Sequence, residues 1–149
     1  MRQIIFLIIF VFSINVVSGQ NSKNLKTIDF RVAYDNANND KFFEKEKIHT
    51  PPTFNNDIRN FEKFLKSQLT YSKKMLKKGV VGRMYIQLKI AANGEVLKEG
   101  TGVIKGITPL EINDKIQRLL VKSPPWEPAK RENNSVEAFV FLIVDFTSN

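Results

Sequence analysis

The sequence contains no cysteine and only one histidine in 149 residues. The absence of cysteine excludes disulfides, thiol nucleophiles, thiolate metal ligands and lipid attachment through an N-terminal cysteine. The single histidine, His49, lies in a segment with linker character, so no second imidazole is available for a metal site or a catalytic pair. Aspartate and glutamate occur without the spacing of paired catalytic carboxylates or of metal ligands. We therefore expect a protein that is not an enzyme and that holds no cofactor and no metal.

Acidic residues are outnumbered: 23 Lys and Arg against 15 Asp and Glu give a formal charge of +8. The chain opens like a secretory signal peptide, because Arg2 is followed by an almost wholly apolar run, residues 4–17, that is shorter than the ~20 residues a bilayer span requires. Cleavage after Gly19 would start the mature chain at Gln20 and lower the charge to +7, by the loss of Arg2. An uncleaved membrane anchor is the alternative.

An exported chain with this charge would meet anionic envelope polymers and other envelope proteins, so we expect a periplasmic location and no nucleic-acid partner. The favoured explanation of the charge is that it only keeps a small domain soluble. At this length one domain suffices. The predicted organisation is a signal peptide at residues 1–19, an N-terminal segment at 20–53 and a single α+β domain at 54–149.

The clearest strand signal is the run at residues 82–90, where four apolar residues alternate with polar ones: Met84, Ile86, Leu88 and Ile90. Asn93-Gly94 follows it and predicts a hairpin with a type I′ turn, in which both central residues have positive φ. A shorter alternating run predicts a strand at residues 28–34. Residues 35–53 contain little to bury and two prolines, so they are predicted to be a linker.

Two helices are predicted from apolar spacings of three and four residues. The first carries the stripe Phe54, Ile58, Phe61, Leu65 and Leu69, and the second carries Ile112, Ile116, Leu119 and Leu120. A short helix at residues 72–78 is expected to end at Gly79. Thr108-Pro109-Leu110-Glu111 has the spacing of a capping box for the second helix.

The last predicted strand, residues 136–146, differs from the hairpin strand because both of its faces are apolar. Val140 and Val144 belong to one face, and Phe139, Phe141 and Ile143 to the other. Something must cover the second face. The sequence leaves open whether this is the N-terminal strand, the loop around Trp126 or another chain.

Several short motifs occur in a fixed order along the chain. They are Tyr71-Ser72 with Met75, Gly79 and Gly82, then the alternating strand, Asn93-Gly94 with Val96, the helix after Thr108-Pro109, and Pro125-Trp126 with Pro128. This ordered set, over residues 54–146, resembles the C-terminal domain of TonB, the envelope energy transducer. The family usually has Tyr-Pro at the first motif, Asp-Gly at the turn and Gly-Lys-Pro-Val before the last strand, where this chain has Asn133-Asn134-Ser135-Val136. The long proline-rich spacer of full transducers is not visible.

The resemblance implies a small sheet of three antiparallel strands with helices on one face. It also implies that the last strand is a sheet edge, which accepts the box peptide of an outer-membrane TonB-dependent receptor as an added strand. The residues carried over as partner-binding are Gln68, Tyr71, Val136, Glu137, Ala138, Phe139, Val140 and Phe141.

Several alternatives remain open from the sequence. For Tyr71 and Trp126, core packing with one polar hydrogen bond each is favoured over direct contact with a partner. If residues 28–34 pair with the last strand, the domain caps its own edge, and a strand-swapped homodimer is a further option. The competing function is a structural or assembly protein of the envelope that binds peptidoglycan or a secretion component through its basic surface.

Overall fold

The computed structural model describes residues 25–149, so the predicted signal peptide of residues 1–19 lies outside the described part. This part is an α+β fold, as predicted. Its helices are α1 (Asn36–Lys45), α2 (Ile58–Gln68), α3 (Lys73–Lys78) and α4 (Leu110–Leu120). Its strands are β1 (Ile28–Tyr34), β2 (Gly82–Ile90), β3 (Val96–Lys105), β4 (Ala129–Arg131), β5 (Asn134–Val136) and β6 (Ala138–Ser148).

The main sheet has four antiparallel strands in the order β1-β6-β2-β3, one more than predicted. The last strand, β6, is central: it pairs with β2 along one side and with β1 along the other. The prediction that the last strand is an edge is therefore wrong. The prediction failed because the strand that pairs with this side of β6, β1, comes from the N-terminal segment, outside the region of resemblance. The two short strands β4 and β5 form a separate hairpin.

One face of the sheet carries the main core, as the alternating patterns predict. Helices α2 and α4 pack against this face with the side chains that were assigned to their apolar stripes. The residues buried between the two layers include Phe61, Leu65, Ile112, Ile116, Leu120, Met84, Ile86, Leu88, Ile90, Val140, Leu142 and Val144. Since a buried aliphatic or aromatic side chain contributes about 1.5–3 kcal/mol, this layer is the principal source of stability.

The segment predicted as a linker, residues 35–53, contains the helix α1. Asp35 caps it, because its side-chain oxygen accepts a hydrogen bond from the backbone N–H of Asn38 at 3.3 Å. Phe42 places its ring 5.6 Å from that of Phe139, on the face of the sheet opposite α2 and α4. The helix was missed because it has no apolar stripe before Phe42, and the expectation of helices on one face alone is corrected with it.

The turn between β2 and β3 differs from the predicted type I′ geometry. Gly94 has a φ of +89°, but Asn93 is not among the residues with positive φ. The backbone N–H of Gly94 donates to the carbonyl of Ala91 at 2.9 Å, which gives a type I turn followed by a left-handed glycine. This turn places Gly94 against Trp126, whose backbone N–H donates to the Gly94 carbonyl at 2.8 Å.

The predicted capping box before α4 is also wrong. The N-cap position is Pro109, and no side chain caps this helix end. The approach to α4 is fixed instead by Asn113, whose Oδ1 accepts from Ile107 N–H at 3.0 Å and whose Nδ2 donates to the Ile107 carbonyl at 2.8 Å. A side-chain amide on the helix therefore satisfies both backbone groups of one preceding residue.

Candidate functional site

The last strand, which the sequence made an edge, is covered by β1 along residues 142–148, whereas the predicted partner-binding residues 136–141 lie beyond this ladder. Seven residue pairs join the two strands, from Ile28 opposite Ser148 to Tyr34 opposite Leu142. Beyond β1, Thr27 and Asn149 exchange backbone hydrogen bonds of 2.9 and 3.0 Å, which extends the ladder at one end. The domain caps its own edge, which was one of the arrangements left open by the sequence.

Three alternate side chains hold β1 to the core: Ile28, Phe30 and Val32 are buried, while Asp29 and Arg31 between them are exposed. The ring of Phe30 lies 5.1 Å from that of Phe146 on β6. This is the geometry of a strand-shaped site in which backbone groups supply the ladder and every second side chain enters a pocket.

Helix α2 fastens the outer side of β1. Glu62 accepts a hydrogen bond of 2.9 Å from the backbone N–H of Val32, a group that points away from β6. Lys66 lies 2.8 Å from the Asp29 carboxylate, and its hydrogen bond lowers the pKa of Asp29. The Glu62 carboxylate therefore pairs with the backbone N–H of Val32, which an additional strand at this edge would need as a hydrogen-bond donor.

The partner-binding residues predicted on the last strand have three different surroundings. Ala138 and Val140 are buried in the interior, and Val136 ends β5 in the small hairpin. Phe139 and Phe141 lie on the opposite face, half-buried, where the ring of Phe42 meets both at 5.6 and 6.2 Å.

Glu137 lies between β5 and β6, exposed, with its carboxylate 2.8 Å from the ammonium of Lys89. This connection belongs to the outer face of the sheet, since Lys89 is opposite Phe139 in the β2–β6 ladder. The residues at 136–141 are therefore contiguous in sequence, but they do not form one binding surface.

Gln68 and Tyr71 lie at the other end of the edge. Gln68 is exposed at the end of α2, and Tyr71 packs half-buried against the main core. Burial raises the pKa of Tyr71 to about 12, and the charge of Asp29 adds to the effect. Because Asp29 is opposite Thr147, six residues beyond Phe141, roughly 20 Å of strand separates Tyr71 from the 136–141 group. The structure does not bring the two predicted groups together.

Amide side chains that the sequence did not single out close the remaining strand ends. Asn39 on α1 is buried and pairs with both backbone groups of Phe141, at 2.7 and 2.9 Å. On the far edge of the sheet, Gln117 donates to the Thr101 carbonyl at 3.0 Å and accepts from Val103 N–H at 2.8 Å. Each amide takes the place of a neighbouring strand. No sequence pattern identifies them, because an isolated Asn or Gln in a helix is ordinarily solvated.

Trp126 belongs to the core. It is buried, its Nε1 donates to Ser123 Oγ at 3.1 Å, and its ring lies 5.1 Å from Phe61. Of the two interpretations that the sequence allowed for this residue, core packing with one hydrogen bond is confirmed.

No known relative of this chain was found. Comparisons with models of known families, with curated proteins and with solved structures all gave no match. Within residues 25–149 no helix is long and apolar enough to cross a membrane. The same described range has no cluster of three or more acidic or histidine side chains placed to hold a metal ion. What the site offers chemically is a strand position beside β6, defined by a backbone ladder and by the pockets of Ile28, Phe30 and Val32.

Proposed function

We propose that this chain is a non-catalytic protein-binding module of the periplasm, which takes an extended peptide as a strand beside β6. The partner class is an outer-membrane TonB-dependent receptor or another envelope protein, as the resemblance of residues 54–146 suggests. The observation that carries the proposal is the position of β1. This strand comes from outside the resembling region and pairs with residues 142–148 of β6, beyond the carried-over residues 136–141 but on the strand that the resemblance makes an edge.

In this proposal β1 acts as a tethered competitor. Because β1 runs through Asp35 directly into α1, the fold holds it beside β6, and a free peptide must overcome this intramolecular advantage to bind. The peptide must also refill the three pockets, since leaving them empty would expose the core beneath β1. A competent partner therefore has an extended segment with apolar residues at alternate positions.

The absence of cysteine makes a direct test practical. Val32 and Val144 are opposite each other, and their backbone groups point away from the other strand, as the Val32 to Glu62 hydrogen bond indicates. Such pairs have Cα atoms about 4.5 Å apart, within the range that a disulfide requires. The double variant V32C/V144C should lock β1 in place when oxidised and release it when reduced.

Two fluorescent peptides serve as probes: one with the sequence of residues 27–35, and one receptor box peptide. Binding to the wild-type chain and to the reduced variant, with loss of binding to the oxidised variant, is the expected result. Equal binding to both redox forms would place the peptide elsewhere and would refute the proposal. The redox pair controls for the two substitutions themselves. Binding of the residue 27–35 peptide without the box peptide would retain the strand site and exclude the receptor as partner.

A further inference from the structure

One end of the molecule concentrates lysine. Helix α3 has the sequence KKMLKK, in which Met75 is buried and the lysines at 73, 74, 77 and 78 are exposed. Within residues 25–149 none of these four ammonium groups forms a salt bridge, and what distinguishes α3 from other lysine-bearing elements is that it carries four such groups in six residues. The charge on α3 is therefore not neutralised inside the described fold.

The same end exposes apolar side chains. Leu110 and Val81 are 71% and 68% exposed, the highest values among the large hydrophobic residues described. They line one shallow concavity together with Ile107 and Gly106. Val81 follows α3 by three residues, so the apolar pair and the lysines are neighbours. Isolated exposed apolar residues are ordinary, and the feature used here is that two of them share a concavity beside a basic helix.

The chain also enters the described fold at this end. The N–H of Lys26 donates to the Leu76 carbonyl of α3 at 2.8 Å, and Leu25 is exposed beside it. The Lys26 side chain runs past Gly79, where a Cβ would lie 2.9 Å from its Cδ. A fifth lysine therefore joins the group. We call the whole surface, formed by Lys26, α3, Val81 and Leu110, the α3 end.

We infer that the α3 end rests on an anionic bilayer surface. Lysines on flexible stems beside protruding apolar side chains match the two layers of such a surface, since ammonium groups reach lipid phosphates while apolar groups enter the acyl boundary. A protein partner would need a larger contiguous apolar area than two side chains provide. The surface is distinct from β6, so this inference does not depend on the proposed peptide site.

The test measures partition of the full-length chain onto vesicles of phosphatidylcholine, with and without 30% phosphatidylglycerol. Any apolar binding by residues 4–17 is common to both vesicle types, so the ratio of the two partition coefficients isolates the electrostatic part. Each lysine near an anionic surface is worth roughly fivefold in binding, so K77Q/K78Q should lower the ratio about 25-fold. The control K98Q/K130Q makes the same charge change at the hairpin end of the sheet, about 27 Å away, and should lower it less than threefold.

Orientation is tested with an environment-sensitive fluorophore on single cysteines, which this cysteine-free chain allows. Probes at V81C and L110C should brighten and shift to the blue on anionic vesicles. A probe at I104C should not, although Ile104 is 60% exposed and equally apolar, because it lies on the opposite face beside Tyr85 and Phe141. Equal signals at all three sites, or equal losses for the two lysine pairs, would overturn the inference. So would retention on purified peptidoglycan that depends on Lys77 and Lys78, without any preference for anionic vesicles.

Discussion

Truncation of Phe30 should weaken the fold and strengthen peptide binding at the same time. Phe30 is 2% exposed and packs on Phe146, and a buried Phe→Ala change costs about 3 kcal/mol at the low end of its range. The whole loss falls on the docking of β1, because Phe30 is part of β1. If a peptide binds only where β1 has left, its apparent affinity scales with the undocked fraction. About 3 kcal/mol then corresponds to roughly 100-fold tighter binding of the residue 27–35 peptide.

The assay combines urea unfolding with fluorescence anisotropy of the labelled peptide. Ile116→Ala is the matched control, because Ile116 is fully buried on α4, which packs on β3 and α2 rather than on β1. It should cost a similar free energy of unfolding while changing peptide affinity less than twofold. If Phe30→Ala destabilises the protein and leaves the affinity unchanged, the peptide does not compete with β1 and the reasoning fails.

Three further predictions concern the fold itself. Gly94→Ala should lower the free energy of unfolding, measured in urea, by more than 2 kcal/mol, because φ is +89° and a Cβ would overlap the Trp126 carbonyl. Gly102→Ala, where φ is not positive, should lower it by less than half as much. Gln117→Leu should cost about 1–3 kcal/mol by leaving backbone groups of β3 unpaired, and it should produce concentration-dependent association in sedimentation velocity. Gln68→Leu, whose exposed amide bonds no backbone group of β3, should not produce this association. Burial raises the pKa of Tyr71 to about 12, and the unfolded chain releases this proton first as the pH rises. The contribution of Tyr71 to the free energy of unfolding should therefore be fully present below pH 10 and should be lost as the pH rises towards 12. Absorbance at high pH should show a late-titrating tyrosine component that Y71F reduces, with the remainder due to Tyr34, whose pKa burial also raises. A late component that is unchanged in Y71F would contradict the assignment to Tyr71.

The local patterns predicted most of the elements, because amphipathic periodicity reports which face of a segment is buried. The alternation at residues 28–34 and 82–90 corresponds to β1 and β2, and the helical stripes correspond to α2 and α4. Helix α1 was missed because it lacks this amphipathic periodicity. Its contribution is one buried amide, Asn39, and two phenylalanines near its end, which leave no stripe to detect.

Apart from the β2–β3 hairpin, the pairing of the strands could not be decided in this way. A period of two identifies the faces of β6 but not the strands beside it, and the pairing with β1 joins residues more than a hundred positions apart. The predicted site is wrong for the same reason, because it treated residues 136–141 as one free edge. In the structure these residues alternate between the core and the face covered by Phe42. Likewise, the Asn93-Gly94 pair indicated a turn but not its type, nor the hydrogen bond that the Gly94 carbonyl accepts from the distant backbone N–H of Trp126.

The most direct test of the central claim is hydrogen exchange of the ¹⁵N-labelled full-length chain with an excess of unlabelled peptide of residues 27–35. The backbone amides at 29, 31 and 33 lie in the β1–β6 ladder, and those at 84, 86 and 88 in the β2–β6 ladder. If the peptide takes the place of β1, the first group should lose its protection while the second keeps it. Bound peptide with full protection of the first group would contradict the account.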